Sequence, residues 1–355
     1  MTKKQLFIEQ IEQAISFEEK FLVKYIAEGK GRDGRGYLNI ILSDKTGQIE
    51  GRMWKNYESS LKNINPGDIA LVKGKGNRYQ KKIQVIIDNL SKTEEVDLSD
   101  FIVTSEHNSI EMKKELMDII NSLDDYYIKQ LLTLTLSDSV ISERLDSWSA
   151  AKSIHHAYQG GLLEHILSCS RLALSLSKHY EVNKNYVVAG AILHDLCKVY
   201  ELSSGPVTEY TLEGKLVGHL VKGVELVERF SRKIPDFPYD LKLHLKHIVV
   251  SHHGEVEYGS PKVPSTLEAA LVHYIDYLDS KMAALFELRK KDTNSGDWTS
   301  YDRISGRSVY KKELPFYGGP VEQVKTDSSK KLNEEKSSES LKNNDLANQL
   351  KGLKI

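Results

Sequence analysis

Residues 191–201 read AILHDLCKVYE, and within this apolar run His194 and Asp195 stand side by side. Burying an imidazole or a carboxylate without a partner costs several kcal/mol. Coordination of a metal ion removes that cost, and a mixed imidazole and carboxylate set suits Mn, Fe, Co, Ni or Zn better than Ca or Mg. Val187, Val188, Ala191, Ile192 and Cys197 give the segment a broad apolar surface, so a buried helix is predicted over 185–202. An adjacent pair at a bend of such a helix can approach one ion from one side.

A single pair cannot complete a coordination sphere, so the remaining ligands must come from other segments. All 12 histidines lie at or after His107. Helical periodicity dominates from Ile110 onward, and further helices are predicted over 110–123, 125–134, 161–179, 216–233, 241–252 and 265–291. In chain order they offer His165 in GGLLEHI, His219 in LVGHLV, the pair His252-His253 in VVSHHGEVEYG, and Asp276 in HYIDYLDSK. Spacing leaves open whether His252, His253 or both reach a metal. His155 and His156 precede a Gly-Gly turn and suit either a phosphate contact or the ordering of that turn. Asp279 suits either support of a ligand or a solvated, capping role, and His107, His179, His244, His247 and His273 are read as surface or core residues.

The first quarter of the chain has a different period. FLVKYIAEG, GYLNIILSD, GQIEGRMW, IALVKGKG and KKIQVIID mix β-branched and aromatic residues with alternating polarity, and Gly, Asn, Asp or Pro separate them. Five strands follow, with room for a short helix in KNYESSLKNINPGD between the third and fourth, the arrangement of an OB barrel over residues 15–95. The fold class is therefore multidomain, an N-terminal all-β OB-like barrel followed by an all-α domain. The boundaries read from composition are 1–95 for the barrel domain, 96–109 for an acidic linker, 110–319 for the helical domain and 320–355 for a charged tail expected to stay disordered.

The whole chain carries a formal charge of -1, which excludes a global attraction to nucleic acid or anionic membrane. Between residues 15 and 92, however, 15 Lys+Arg face 9 Asp+Glu. Lys30, Arg32, Arg35, Lys73, Lys81 and Lys82 contribute cations there, and Tyr37, Arg52, Trp54, Lys75, Arg78 and Tyr79, with Tyr25, add the mixture of cations and stacking rings that single-stranded nucleic acid uses. The two cysteines, Cys169 and Cys197, lie in apolar helical patterns and read as small buried hydrophobes, which excludes a disulfide scaffold. No stretch has a signal peptide's apolar run or a membrane span's length, so a cytoplasmic location without membrane partners is expected.

His165, His194-Asp195 and Asp276 resemble the H…HD…D signature of HD-domain phosphohydrolases, and His219 with His252 or His253 resembles the branch that holds two metal ions. Together with HHAYQGGLLEH and the OB-like region, they make residues 15–315 similar to the YhaM-type 3′-5′ exoribonucleases, in which an OB domain precedes an HD domain. The resemblance implies a metal-dependent exonuclease that removes nucleotides from the 3′ end of single-stranded RNA, with single-stranded DNA open as a second substrate. It implies two divalent ions, Mn favoured among the metals named above, with Lys198 reaching a phosphate oxygen. Leaving-group protonation is open between water and His219. Two other readings stand beside this one, a phosphohydrolase of nucleotides or cyclic dinucleotides and a catalytically silent nucleic-acid-binding adaptor; the OB-like region speaks against the first and the intact ligand set against the second.

Overall fold

The computed structural model describes residues 4–31, 34–80, 82–93, 97–105, 107–151, 156–292 and 294–315. Arg32, Lys81, His155 and the tail over 320–355 lie outside the described residues. The chain forms two units, residues 1–311 and 312–355, and every strand and helix named below belongs to the first.

Five strands, β1 (Ser16–Lys30), β2 (Gly36–Asp44), β3 (Gly47–Met53), β4 (Ile69–Tyr79) and β5 (Lys82–Lys92), close into a barrel in the order β1-β2-β3-β5-β4. All pairings are antiparallel except β3 with β5, which run parallel through Gly51↔Val85 and Arg52↔Ile86. Alternation places Phe21, Val23, Leu38, Ile40, Leu42, Val72 and Val85 inside, all fully buried. Where β3 pairs with β5, a Cβ on Gly51 would lie 2.7 Å from side-chain methyls of both Ile40 and Ile87, so glycine leaves these two side chains room in the core. The expected short helix, α1 (Glu58–Asn63), sits between β3 and β4, anchored by Ser60 Oγ donating to Leu90 O at 2.9 Å. Phe101 packs on Leu22 and Ile69 of the barrel with Ile102 and Val207, joining it to the helical half.

The helical half comprises α2 (Ser109–Asn121), α3 (Tyr126–Leu136), α4 (Ser139–Leu145), α5 (Gly161–His179), α6 (Lys184–Leu193), α7 (Lys198–Glu201), α8 (Leu212–Leu216), α9 (Gly218–Ser231), α10 (Tyr239–Ser251) and α11 (Leu267–Lys291). Several start on a side-chain cap, as where Asn108, Asp125, Asn183 and Thr266 accept from backbone N–H groups of their first turns. Around α6, whose Val187 to Leu193 are all buried, α5, α10 and α11 form one continuous apolar core. Among the described residues no helix is long and apolar enough to cross a membrane.

One predicted helix is broken. The helix expected over 185–202 ends at Leu193, and a tight turn follows in which Lys198 N–H donates to Asp195 O, three residues back, at 2.9 Å before α7 begins. Both His194 and Asp195 bring a donor atom to one interior point. The helix expected over 216–233 is present as α9, which starts at Gly218 with φ 78 directly after the short α8, a helix the periodicity did not predict. This start sets His219 in the first turn of α9.

Candidate metal centre

Three elements converge on one buried point. His165 of α5, His194 and Asp195 of the turn after α6, and Asp276 of α11 bring one ligand atom each to within 4.8 Å of one another. His165 Nε2 lies 3.4 Å from Asp195 Oδ2, 3.4 Å from Asp276 Oδ1 and 3.1 Å from His194 Nε2. His194 Nδ1 faces the Ala191 carbonyl at 3.0 Å and must donate to it, which turns Nε2 inward. Burial pushes the His194 pKa down, keeping the ring neutral as a ligand must be. At His165 burial acts the same way, but hydrogen bonds to Asp195, Asp276 and Asp279 outweigh it and hold the ring above its ordinary value.

The second group shares Asp195. Its Oδ1 lies 3.5 Å from His219 Nε2 and 3.6 Å from His252 Nε2, while its Oδ2 faces the first group. His252 Nδ1 donates to Val249 O at 2.8 Å, and the His253 ring stands 5.2 Å from that of His219 and 4.5 Å from that of His252. Among the described residues, buried Asp195 Oδ1, His219 Nε2 and His252 Nε2 have no hydrogen-bond partner. Leaving three such atoms dry and unpaired would cost several kcal/mol. A cation among them removes the cost, so the residues present fit a divalent metal ion. Burial would raise the Asp195 pKa, but Lys198, His194, His165 and His252 hold it well below the usual range. Lys198 Nζ is 2.6 Å from Asp195 Oδ2, and despite burial this carboxylate keeps the ammonium charged.

Both cysteines are buried, as expected. Cys169 Sγ lies 3.7 Å from His165 Nδ1, but burial pushes its thiol up to about 11, so it faces the centre as a neutral group. Cys197 is pushed up to about 12 for the same reason.

Behind the donors stands a layer that sequence reading saw only in part. Asp279 accepts from His165 Nδ1 at 2.8 Å and His156 Nε2 at 3.1 Å, and from Ser168 Oγ. His156 is thereby drawn to a carboxylate within the fold. Glu201 was missed altogether: its Oε2 stands 2.9 Å from His219 Nδ1 and its Oε1 accepts from the His219 backbone N–H at 3.3 Å. The only signal was its place six residues after Asp195, and no short-range pattern links it to α9.

Against this geometry the comparisons are specific. Residues 162–281 match the HD domain family, and residues 22–93 match the OB-fold nucleic acid binding domain family. The 3′-5′ exoribonuclease YhaM of Geobacillus sp. (strain WCH70) is 34% identical over 296 residues, covering 82% of this chain and 90% of that protein. The chain belongs to the YhaM family. The YhaM protein of Oceanobacillus iheyensis is 32% identical, covering 83% of this chain and 93% of that one. Among solved structures, the second OB-fold domain of replication protein A from Methanococcus maripaludis aligns at 23% identity, covering 25% of this chain and 94% of that domain with a TM-score of 0.21.

In this YhaM-family chain the barrel brings three of the predicted nucleic-acid residues together. The Tyr37 and Trp54 rings lie 4.7 Å apart at 36°, and the Arg52 guanidinium stands 4.8 Å from the Tyr37 centroid. Trp54 stays 43% exposed, enough to offer a face to a base. Lys75 lies two strands away in the same outward row, Arg52↔Ile86↔Lys75, about 10 Å across the sheet. Arg78 and Tyr79 stand apart from this group, at the end of β4 where it turns into β5, and Tyr79 is exposed.

Proposed function

We infer that this chain is a metal-dependent 3′-5′ exoribonuclease that degrades single-stranded RNA in the cytoplasm. The observation that carries the reading is Asp195, a buried carboxylate that turns one oxygen to each of two groups of histidines in a YhaM-family chain. His165, His194, Asp195 and Asp276 would hold one ion. Asp195, His219 and His252, with His253 beside them, would hold a second. Mn is the favoured metal for this nitrogen and oxygen set. Such ions supply Lewis acidity toward a phosphodiester and acidify water enough to make it a nucleophile at neutral pH.

The protein's own groups then position charge. Lys198, held at Asp195 with 14% of its side chain exposed, carries its ammonium to the phosphate and offsets developing negative charge there. The ring nitrogens of His219 face Glu201 and Asp195, so we assign His219 to holding the cation and leave leaving-group protonation to water. Residues 1–95 hold the strand, with Tyr37, Trp54 and Arg52 as a stacking and charge platform and Lys75, Arg78 and Tyr79 extending it. Residues 110–319 cut, 96–109 link the two, and 320–355 form a tail. Single-stranded DNA is a second substrate that the same platform admits.

A 5′-labelled single-stranded RNA tests the direction. It should shorten stepwise, and a blocked 3′ end should resist. Rapid cutting of a circular single strand, or loss of the 5′ label first, would reject the exonuclease reading while leaving phosphodiester hydrolysis intact.

A further inference from the structure

Two proposed ligands have a carboxylate behind the far ring nitrogen, Glu201 behind His219 and Asp279 behind His165, and Asp279 is itself gripped by further side chains. His165 Nδ1 donates to Asp279 Oδ2 at 2.8 Å, and Asp279 is fixed in turn by His156 Nε2 at 3.1 Å and by Ser168 Oγ. His194 and His252, by contrast, are oriented by the backbone carbonyls of Ala191 and Val249. The segment that delivers His156 is built at a cost. His156 sits at φ 48, a conformation non-glycine residues avoid, and is held there as its carbonyl accepts from Ala150 N–H at 3.1 Å. The next turn approaches so closely that a Cβ on Gly161 would lie 2.1 Å from the His156 oxygen. His156 Nδ1 faces Tyr158 Oη at 3.0 Å, which orients the ring from its other side.

Resting on the metal-site reading above, we propose that Asp279 is a positioning residue: it fixes the rotation of His165, keeps the proton on Nδ1 so that Nε2 faces the metal, and strengthens that nitrogen as a donor, with His156 and Ser168 locking the carboxylate. His156, His165 and Asp279 are also close enough to suggest a metal group of their own. Their direct hydrogen bonds of 2.8 and 3.1 Å instead bind them to one another as the support of the centre. Removing such a partner of a ligating histidine typically lowers metal affinity about 10- to 100-fold.

The test is a titration of Mn2+ into the metal-stripped full-length protein, followed by loss of the free Mn2+ resonance signal, beside a thermal melt of each variant. Asp279→Ala should bind Mn2+ about 10- to 100-fold more weakly. Asp279→Asn preserves shape and an acceptor oxygen, and should lose about fivefold because an amide accepts more weakly than a carboxylate. It also serves if the alanine variant does not fold. Wild-type affinity in either folded variant, whatever its melting temperature, overturns the proposal, since a purely structural role would move the melt and not the affinity. If the unaltered protein itself takes up no Mn2+ or other divalent transition metal, the metal-site reading fails and this proposal with it; if it does and the variants match it, only the role of Asp279 falls.

Discussion

The outer face of the barrel and the interior of the helical half carry their working residues in opposite ways. On the barrel, Trp54 is 43% exposed, and Tyr37, Arg52 and Trp54 all stand outside the buried core that closes it. In the helical half, His165, His194, Asp195 and His252 are almost fully buried inside the core, and their placement depends on one another. Surface chemistry of the first kind is separable from stability. Buried chemistry of the second kind is not, because deleting one member leaves its partners dry and unpaired.

Substitutions can break or sharpen that contrast. The largest effect is expected at the shared carboxylate: Asp195→Ala should abolish hydrolysis of single-stranded RNA and lower bound metal, read by elemental analysis, because both histidine groups lose the oxygen between them. Full activity in this variant after exhaustive chelation would sink the metal-centre assignment. Next comes Lys198→Ala, expected to lower turnover roughly a hundredfold with bound metal unchanged, since one positioned cation facing developing charge supplies a few kcal/mol. A drop in metal content equal to the drop in rate would show instead that Lys198 only holds Asp195.

On the barrel, Trp54→Ala should weaken binding to a single-stranded RNA oligonucleotide about tenfold, the loss of one stacked base, while leaving the melting temperature unchanged. A lower melting temperature with unaltered affinity would place Trp54 with the core residues and erase the contrast. The smallest effect concerns pH. Burial, then His252 and His219, push His253 down to about 4 from an ordinary 6.5. The unfolded chain therefore binds the extra proton first, so this group's stabilising contribution is present above pH 6.5 and declines as pH falls toward about 4. Denaturant melts of the metal-free protein should show that slope, and His253→Gln should flatten it; an identical slope in the variant would mean His253 does not titrate in this window.

Much of this was legible along the chain. The strands followed from alternation between Phe21 and Ser91, and α5 from the apolar period of Gly161–His179. The histidines stood out because His194 and Asp195 interrupt an apolar run that burial rules would not otherwise tolerate. What short-range pattern did not carry was the break after Leu193, where periodicity continues but the backbone tightens, and α4, which has only seven residues to show a period.

The sequence by itself determined the barrel strands, the longer helices with their apolar faces, and which side chains can take a metal, because each of these follows from side-chain chemistry repeated at a local period. Only the tertiary structure decided that Asp195 divides its two oxygens between His165 and the pair His219 and His252, that Glu201 and Asp279 stand behind two of those rings, and that β3 closes on β5. Each is a meeting of segments distant in the chain, fixed by how helices pack and how a barrel shuts. The orientation of a ring within such a meeting is set by whichever acceptor the packing leaves beside its second nitrogen, and no local period encodes that.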